Sequence, residues 1–342
     1  MKITHAVVTD AFAGTERYVC EIARRQAQRG HDVVVLGGSG VRMRAELEGA
    51  VWQHASTVPT ALARIVTGGQ RDVVHAHLTK AELAGALAKP AHGGLLVSTR
   101  HIAAPRGRSR RGRFAAPVVA RSVDVEIAIS RHVAAAMERP PHLVLHNGVA
   151  ASGVPYDTRS RTVLVLQRLA PEKDTETALR AWGASHLGDC GWHLDVAGGG
   201  EQREALERLT RQLRLRGVRF LGEVNDAATR LATAGLLLAP APSEPLGLSV
   251  LEAMAQGVPV VVSASGGHLE TVPPGWAWVF PPGDADAAGV VLAAAAADDQ
   301  LRVQASGQVR SHAMAHFDVE RHVDDLTAAY ESSPAHRLGL WR

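Results

Sequence analysis

The feature that most constrains this chain is a rhythm. A short run of β-branched and aliphatic residues is followed by a longer polar-apolar stretch, again and again along most of its length. "ITHAVVT" precedes "GTERYVCEIARRQAQRG"; "HDVVVLGG", "RDVVHAHL", "KAELAGALAK", "GLLVSTRH", "VDVEIAIS" and "HLVLHNGV" carry it on. Runs that are apolar at every position, not at every second one, are buried on both faces. Separated by helices, they predict a parallel sheet covered on both sides. After Val149 the segment "AASGVPYDTRSR" breaks the pattern with Gly, Pro and polar residues, as an interdomain linker does. The rhythm then restarts with "TVLVLQRL", "WHLDVAGGG", "VRFLGEV", "GLLLAPAP" and "VPVVVS". The expected fold class is α/β, with two doubly wound, Rossmann-like parallel-sheet domains at 1–149 and 150–330. The tail at about 331–342 is expected to pack back on the first domain. Ligands of such sheets bind beyond the C-terminal strand ends, so a cleft between the two domains is the expected site.

Several function classes drop out. A net charge of +3 gives no electrostatic demand for a nucleic-acid partner. No apolar run reaches the ~18 residues of a membrane span. "MKITHAVVTD" reads as a buried first strand and not a signal peptide, so a cytoplasmic location is expected. Cys20 and Cys190 stand far apart and read as buried thiols of a reducing compartment. The loop after the first strand, "TDAFAGTE", has no G-x-G-x-x-G, and no G-K-[ST] occurs, which excludes dinucleotide-binding and P-loop readings.

The chemistry concentrates in "APSEPLGLSVLEAMAQGVPVVVS", Ala241 to Ser263. Glu244 lies in a loop after an apolar strand. A helix expected over Leu248–Gln256 carries Glu252 on the same stripe as Leu248, Leu251 and Ala255. The free N–H groups of that helix favour an anion, and Gly247 lets a ligand approach the backbone closely. Carboxylates only accept hydrogen bonds and so suit the hydroxyls of sugars. By residue type alone, the plainer reading is Glu252 as a buried acid paired to an arginine and Glu244 as a solvated loop residue. Arg168 ends the first strand of the second domain, with Lys173 five residues on. Two fixed cations at a strand end suit phosphate oxygens; an ion pair to Glu172 or Asp174 is the plainer alternative. Lys173 is one of only four lysines, which makes a filler role less natural.

With those residues goes a resemblance. "SEPLGLSVLEAMAQGVPVVVS" is similar to the E-x7-E segment of retaining glycosyltransferases of family 4, which have the GT-B fold. "AGTERYVCEIARRQAQRGHDVVVL", "DVVHAH", "STRH", "AIS", "LHNGV", "QRLAPEKD", "VAGGG" and "FLGEV" follow that family's order across residues 1 to 330. The resemblance implies transfer of a sugar from a nucleotide diphosphate with retention and with no metal in the site. Position by position, Arg168 and Lys173 would hold the diphosphate and Glu252 the ribose hydroxyls. Glu244 would bind the transferred sugar, aided by backbone N–H groups around Leu246, Gly247 and Leu248. Gly14 would let a first-domain loop approach the phosphate, His101 would lie beside the donor sugar, and Glu223 and Val224 would frame the base. The sequence departs from the family in having Ala13-Gly14 for Gly-Gly and "AGGGE" for the commoner Gly-Asp-Gly.

Weaker patterns have bland readings. "GDADA" mimics a metal-binding Asp-x-Asp, but Asp284 precedes an alanine-rich stretch and is expected to cap a helix. His75 and His77 alternate on one strand with no third ligand visible. "PRGRSRRGR", Pro105 to Arg113, is a solvated loop, a dock for a phosphate-bearing acceptor or a peripheral contact with the inner membrane face. Without interleaved aromatics it is not a nucleic-acid surface. The acceptor side is expected near Lys80, Arg106 and Arg108.

The expectation is therefore a metal-independent retaining glycosyltransferase with no further cofactor. It would use a nucleotide-sugar donor, UDP-sugar favoured, and a hydroxyl of a small-molecule or lipid-linked acceptor. One alternative is a GDP-mannose-dependent transferase acting on an anionic lipid. Others are a nucleotide-sugar epimerase and a non-catalytic sugar- or partner-binding GT-B module.

Overall fold

The strands form where the apolar runs stand. In the computed structural model, residues 1–107, 110–151, 156, 160–224 and 226–332 are described, without the side chains of 110–114. The chain divides into two compact units, Met1–Gly148 with the stretch from Val319, and Val149–Asp318.

Unit 1 contains β1 Lys2–Val7, β2 Asp32–Gly37, β3 Val51–Gln53, β4 Val73–His77, β5 Leu95–Arg100, β6 Val125–Ala128 and β7 Leu143–Val144. They make one parallel sheet in the order β3-β2-β1-β4-β5-β6-β7, so the strand order reverses between β1 and β4. The short β3 and the helix Val58–Thr67 that follows it lie outside the repeats read from the sequence. One face of the sheet packs Val33, Val35, Val73, Leu95, Val97 and Ile127 against Tyr18, Val19, Ile22 and Ala23 of the helix Gly14–Gln28. The other packs Ala6, Leu36, Val74 and Leu96 against Ala81, Ala84 and Ala88 of the helix Thr79–His92.

Unit 2 holds β8 Thr162–Leu166, β9 His193–Ala197, β10 Val218–Gly222, β11 Leu236–Ala239, β12 Val260–Ser263 and β13 Val279–Phe280. Its parallel order is β10-β9-β8-β11-β12-β13, and the reversal falls between β8 and β11. Trp182, Leu179, Val196, Leu238 and Leu292 are among its buried core residues. Asp284 caps the helix Ala285–Ala297, accepting from the Ala287 N–H at 2.9 Å.

Two expectations need correction. The second domain was placed as far as 330, but the helix Val319–Glu331 belongs to unit 1. Its Val323, Leu326 and Tyr330 join the unit 1 core, and Arg29 holds Glu320 and Asp324 at 2.7 Å each. Of the tail, residues 333–342 lie outside the described residues. Cys20 is buried, but Cys190 is exposed.

Candidate functional site

In a doubly wound sheet the loops at the carboxyl ends of the strands diverge at the reversal, leaving a crevice there. In unit 2 those are the loops after β8 and β11, and they carry Lys173 and Glu244. Lys173 ends a 3-10 turn, Pro171–Lys173, and its carbonyl accepts from Gln167 Nε2 at 2.9 Å. Asp174, in the left-handed region at φ 49°, then caps the helix Thr175–Ser185. That geometry sends the lysine across the reversal, where Nζ meets Glu244 Oε2 at 2.6 Å. Both side chains are mostly buried, at 22% and 14% exposed.

The Glu244 loop is held by close backbone packing. Gly267 N donates to Glu244 O at 2.8 Å, and a Cβ on Gly267 would lie 2.3 Å from Leu246 Cα. Gly247 adopts φ 96° and stands just before the helix Leu248–Ala255, with no side chain capping that helix's N-terminus. Leu246 is buried; Leu248 is half-buried. Glu252 is also half-buried between the buried Leu251 and Ala253, so it sits at the margin of the core and not within it.

Arg168 points outward, 65% exposed, and pairs with Glu172, the plainer of its two expected partners. Its loop is fixed by the glycines after β9: Gly198, at φ 142°, lies where a Cβ would be 1.8 Å from Gln167 O. Glu223 is exposed and Val224 half-buried, both directly after β10, and Glu223 Cγ abuts Gly199.

His268 escaped the sequence reading. It is 1% exposed, with Nδ1 3.1 Å from Ser263 Oγ, and its ring lies where a Cβ on Gly247 would approach Cδ2 to 2.9 Å. Burial pushes its pKa down to about 4, against the upward pull of Glu244; Lys173 adds to the depression. Only the glycine pair before it, in "SASGGHLE", hinted at a close backbone approach.

In unit 1 the reversal lies between β1 and β4. Gly14 opens the helix after β1, beside Ala13, whose N–H is accepted by Glu16 at 2.8 Å. Lys80 is exposed in the first turn of the helix after β4. His101, just after β5, is buried, with Nε2 3.0 Å from His77 Nδ1, and burial pushes its pKa down to about 3. His75 and His77 do gain a third imidazole: nitrogens of His5, His75 and His77 lie within 4.8 Å of one another.

Arg106 corrects an expectation. It was to face an acceptor, but its side chain is fully enclosed among Glu82, Glu126 and Glu138, at 2.8, 2.6 and 2.5 Å. Three carboxylates hold it inside the unit, so it is a structural cation. Arg108 lies outside the described residues.

Residues 12–152 match the family described as "Glycosyltransferase Family 4", and residues 153–312 match "Glycosyl transferases group 1". Structurally, an Anabaena protein, HepE, in complex with UDP and glucose superposes with a TM-score of 0.79 over 97% of this chain and all of that one, at 19% identity. The chain belongs to the family-4 glycosyltransferases of the GT-B fold. Sucrose-phosphate synthase from Thermosynechococcus elongatus shares that fold, at TM-score 0.76 and 18% identity over 97% of this chain and 98% of that one.

Among curated relatives of this family-4 chain is a GDP-mannose-dependent monoacylated α-(1-6)-phosphatidylinositol monomannoside mannosyltransferase from Corynebacterium glutamicum. It is 32% identical over 177 residues, 49% of this chain and 46% of the relative. A lipopolysaccharide core biosynthesis mannosyltransferase from Rhizobium leguminosarum is 29% identical over 211 residues, 60% of this chain and 59% of the relative. The matched stretches span about half the length of these two relatives.

Proposed function

We propose that the chain is a retaining glycosyltransferase. It moves a sugar from a nucleotide-diphosphate sugar to a hydroxyl of a small-molecule or lipid-linked acceptor. The observation that carries the reading is the Lys173–Glu244 pair at 2.6 Å, set where the unit 2 strand order reverses and beside a helix N-terminus without a side-chain cap.

The roles follow from charge. Cleavage of the anomeric C–O bond leaves positive character on the sugar and negative charge on the departing diphosphate. Lys173, with Arg168 swung from Glu172, neutralises the diphosphate, and the N–H groups from Leu246 to Leu248 face its oxygens. Charge placed in advance where it develops in the transition state lowers the barrier. Glu244, oriented by Lys173, accepts from hydroxyls of the transferred sugar; Glu252 accepts from the ribose. The acceptor oxygen bonds the anomeric carbon on the face the diphosphate leaves. Its proton passes to the departing phosphate oxygen. On the unit 1 side, Gly14 is assigned to the approach to the phosphate, His101 to the donor sugar and Lys80 to the acceptor.

UDP-sugar is the favoured donor, supported by the UDP-bound structural neighbour. GDP-mannose is the second reading, supported by the mannosyltransferase relatives. No helix among the described residues is long and apolar enough to cross a membrane. With Arg106 committed inward, a lipid-linked acceptor would have to meet other basic residues of the 105–113 segment.

A thermal-shift panel of UDP- and GDP-sugars, followed by transfer of radiolabel from the stabilising donor, tests the reading. A bound donor raises Tm by mass action. No shift with any nucleotide sugar would sink it in favour of a non-catalytic module.

A further inference from the structure

Behind His101 runs a line of hydrogen-bonded imidazoles. His101 Nε2 lies 3.0 Å from His77 Nδ1, His77 Nε2 lies 3.1 Å from His5 Nδ1, and His5 Nε2 lies 2.7 Å from Gln26 Oε1. Every ring is enclosed in unit 1, and burial holds each of the three neutral at pH 7. A neutral imidazole has one N–H and one lone pair, so in a line of such rings the proton on one fixes the proton on the next.

The end of the line sets the direction. An amide oxygen only accepts, so His5 carries its proton on Nε2 and offers the lone pair of Nδ1. His77 must then donate from Nε2 and accept at Nδ1, and His101 must donate from Nε2. What remains on His101 is the lone pair of Nδ1.

We infer that Gln26, His5 and His77 are positioning residues that lock His101 in the Nε2–H tautomer. His101 then meets its ligand only as a hydrogen-bond acceptor, at Nδ1. The group it recognises is therefore a hydroxyl that donates, and a carbonyl or phosphate oxygen in that place is refused. This rests on the assignment of His101 to the substrate side, but the tautomers themselves do not depend on it.

A cation among His5, His75 and His77 is the competing occupant. His75 argues against it, because both its nitrogens are engaged, Nδ1 with the Tyr330 hydroxyl at 2.8 Å and Nε2 with Thr99 Oγ1 at 2.7 Å.

The test reads the protons directly. In full-length protein labelled with 15N-histidine, long-range 1H–15N correlation distinguishes a protonated ring nitrogen from a bare one. The expected result at pH 7 is Nε2–H on His5, His77 and His101. In Gln26→Leu, His5 loses its acceptor, the set mixes or reverses, and turnover falls by at least ~10-fold. Nucleotide affinity stays within twofold, because Gln26 belongs to unit 1 while the residues assigned to the nucleotide belong to unit 2. Gln26→Glu, which restores an acceptor, recovers both tautomer and turnover.

Nδ1–H on His77 or His101 in the unaltered protein overturns the inference, as does tight binding of one Zn2+ that shifts the 15N resonances of His5, His75 and His77. Unchanged turnover in Gln26→Leu despite altered tautomers overturns the positioning role. If no donor binds at all, the functional reading fails while the tautomer result stands on its own.

Discussion

At the residue scale, the proposed site rests on Lys173 and Glu244, which stood out in the sequence because each lies in a loop after an apolar strand and carries charge; the structure pairs them at 2.6 Å. Lys173→Ala is expected to lower kcat/KM about 10- to 150-fold, the worth of one charge-assisted phosphate contact. Glu252→Ala should weaken nucleotide binding about tenfold, read by titration, with the fold intact. If both variants keep full donor turnover and affinity, the site lies elsewhere. Gly247→Ala forces a side chain into φ 96° and against His268; calorimetry should show Tm lowered by several degrees, and an unchanged Tm would deny the close packing. His268 was illegible because a lone histidine after two glycines carries no signature of burial. Arg106 was misread for the opposite reason. Five arginines in nine residues resemble a solvated patch, while its partners Glu82, Glu126 and Glu138 are scattered through other segments.

At the scale of elements, the helix Val319–Glu331 shows what periodicity leaves open. An amphipathic pattern says that one face is apolar; it does not say which sheet that face covers. Tyr330 and His322 settle the matter, bonding His75 at 2.8 Å and Tyr18 at 2.9 Å. This fastening is sensitive to acid. Burial lowers the pKa of His5 and His322 to about 4 and holds His75 and His77 well below their ordinary value. Below pH 6.5 the unfolded chain therefore takes up protons that the folded one refuses. Stability is full above that pH and is lost progressively as pH falls from 6.5 toward 4. Thermal melts between pH 7.5 and 4.5 should show a steadily falling Tm; a flat profile would mean that these imidazoles are charged or exposed. Arg106→Met should cost about 3–5 kcal/mol, because it strands Glu82 and Glu126 without their cation.

At the scale of the whole molecule, two parallel sheets were legible from the doubled rhythm of apolar runs, because burial on both faces writes itself into every residue of a strand. The return of the chain to unit 1 was expected, but only from about 331 and not from Val319, because its place depends on where the last helix docks. The stretch Val149–Asp318 has its own sheet and core, and its two ends meet: Val149 N donates to Phe317 O at 2.7 Å, and Val149 pairs with Asp318 as an isolated β-bridge. Expressed alone, residues 149–318 should melt in one cooperative transition and be stabilised by the nucleotide that stabilises the full chain. A protein that fails to fold would show that this unit leans on the rest. For gene assembly the paired ends matter most. A segment that leaves and returns at neighbouring points is a cassette, and a related unit 2 with other base preferences could be spliced in at those two junctions without redrawing unit 1.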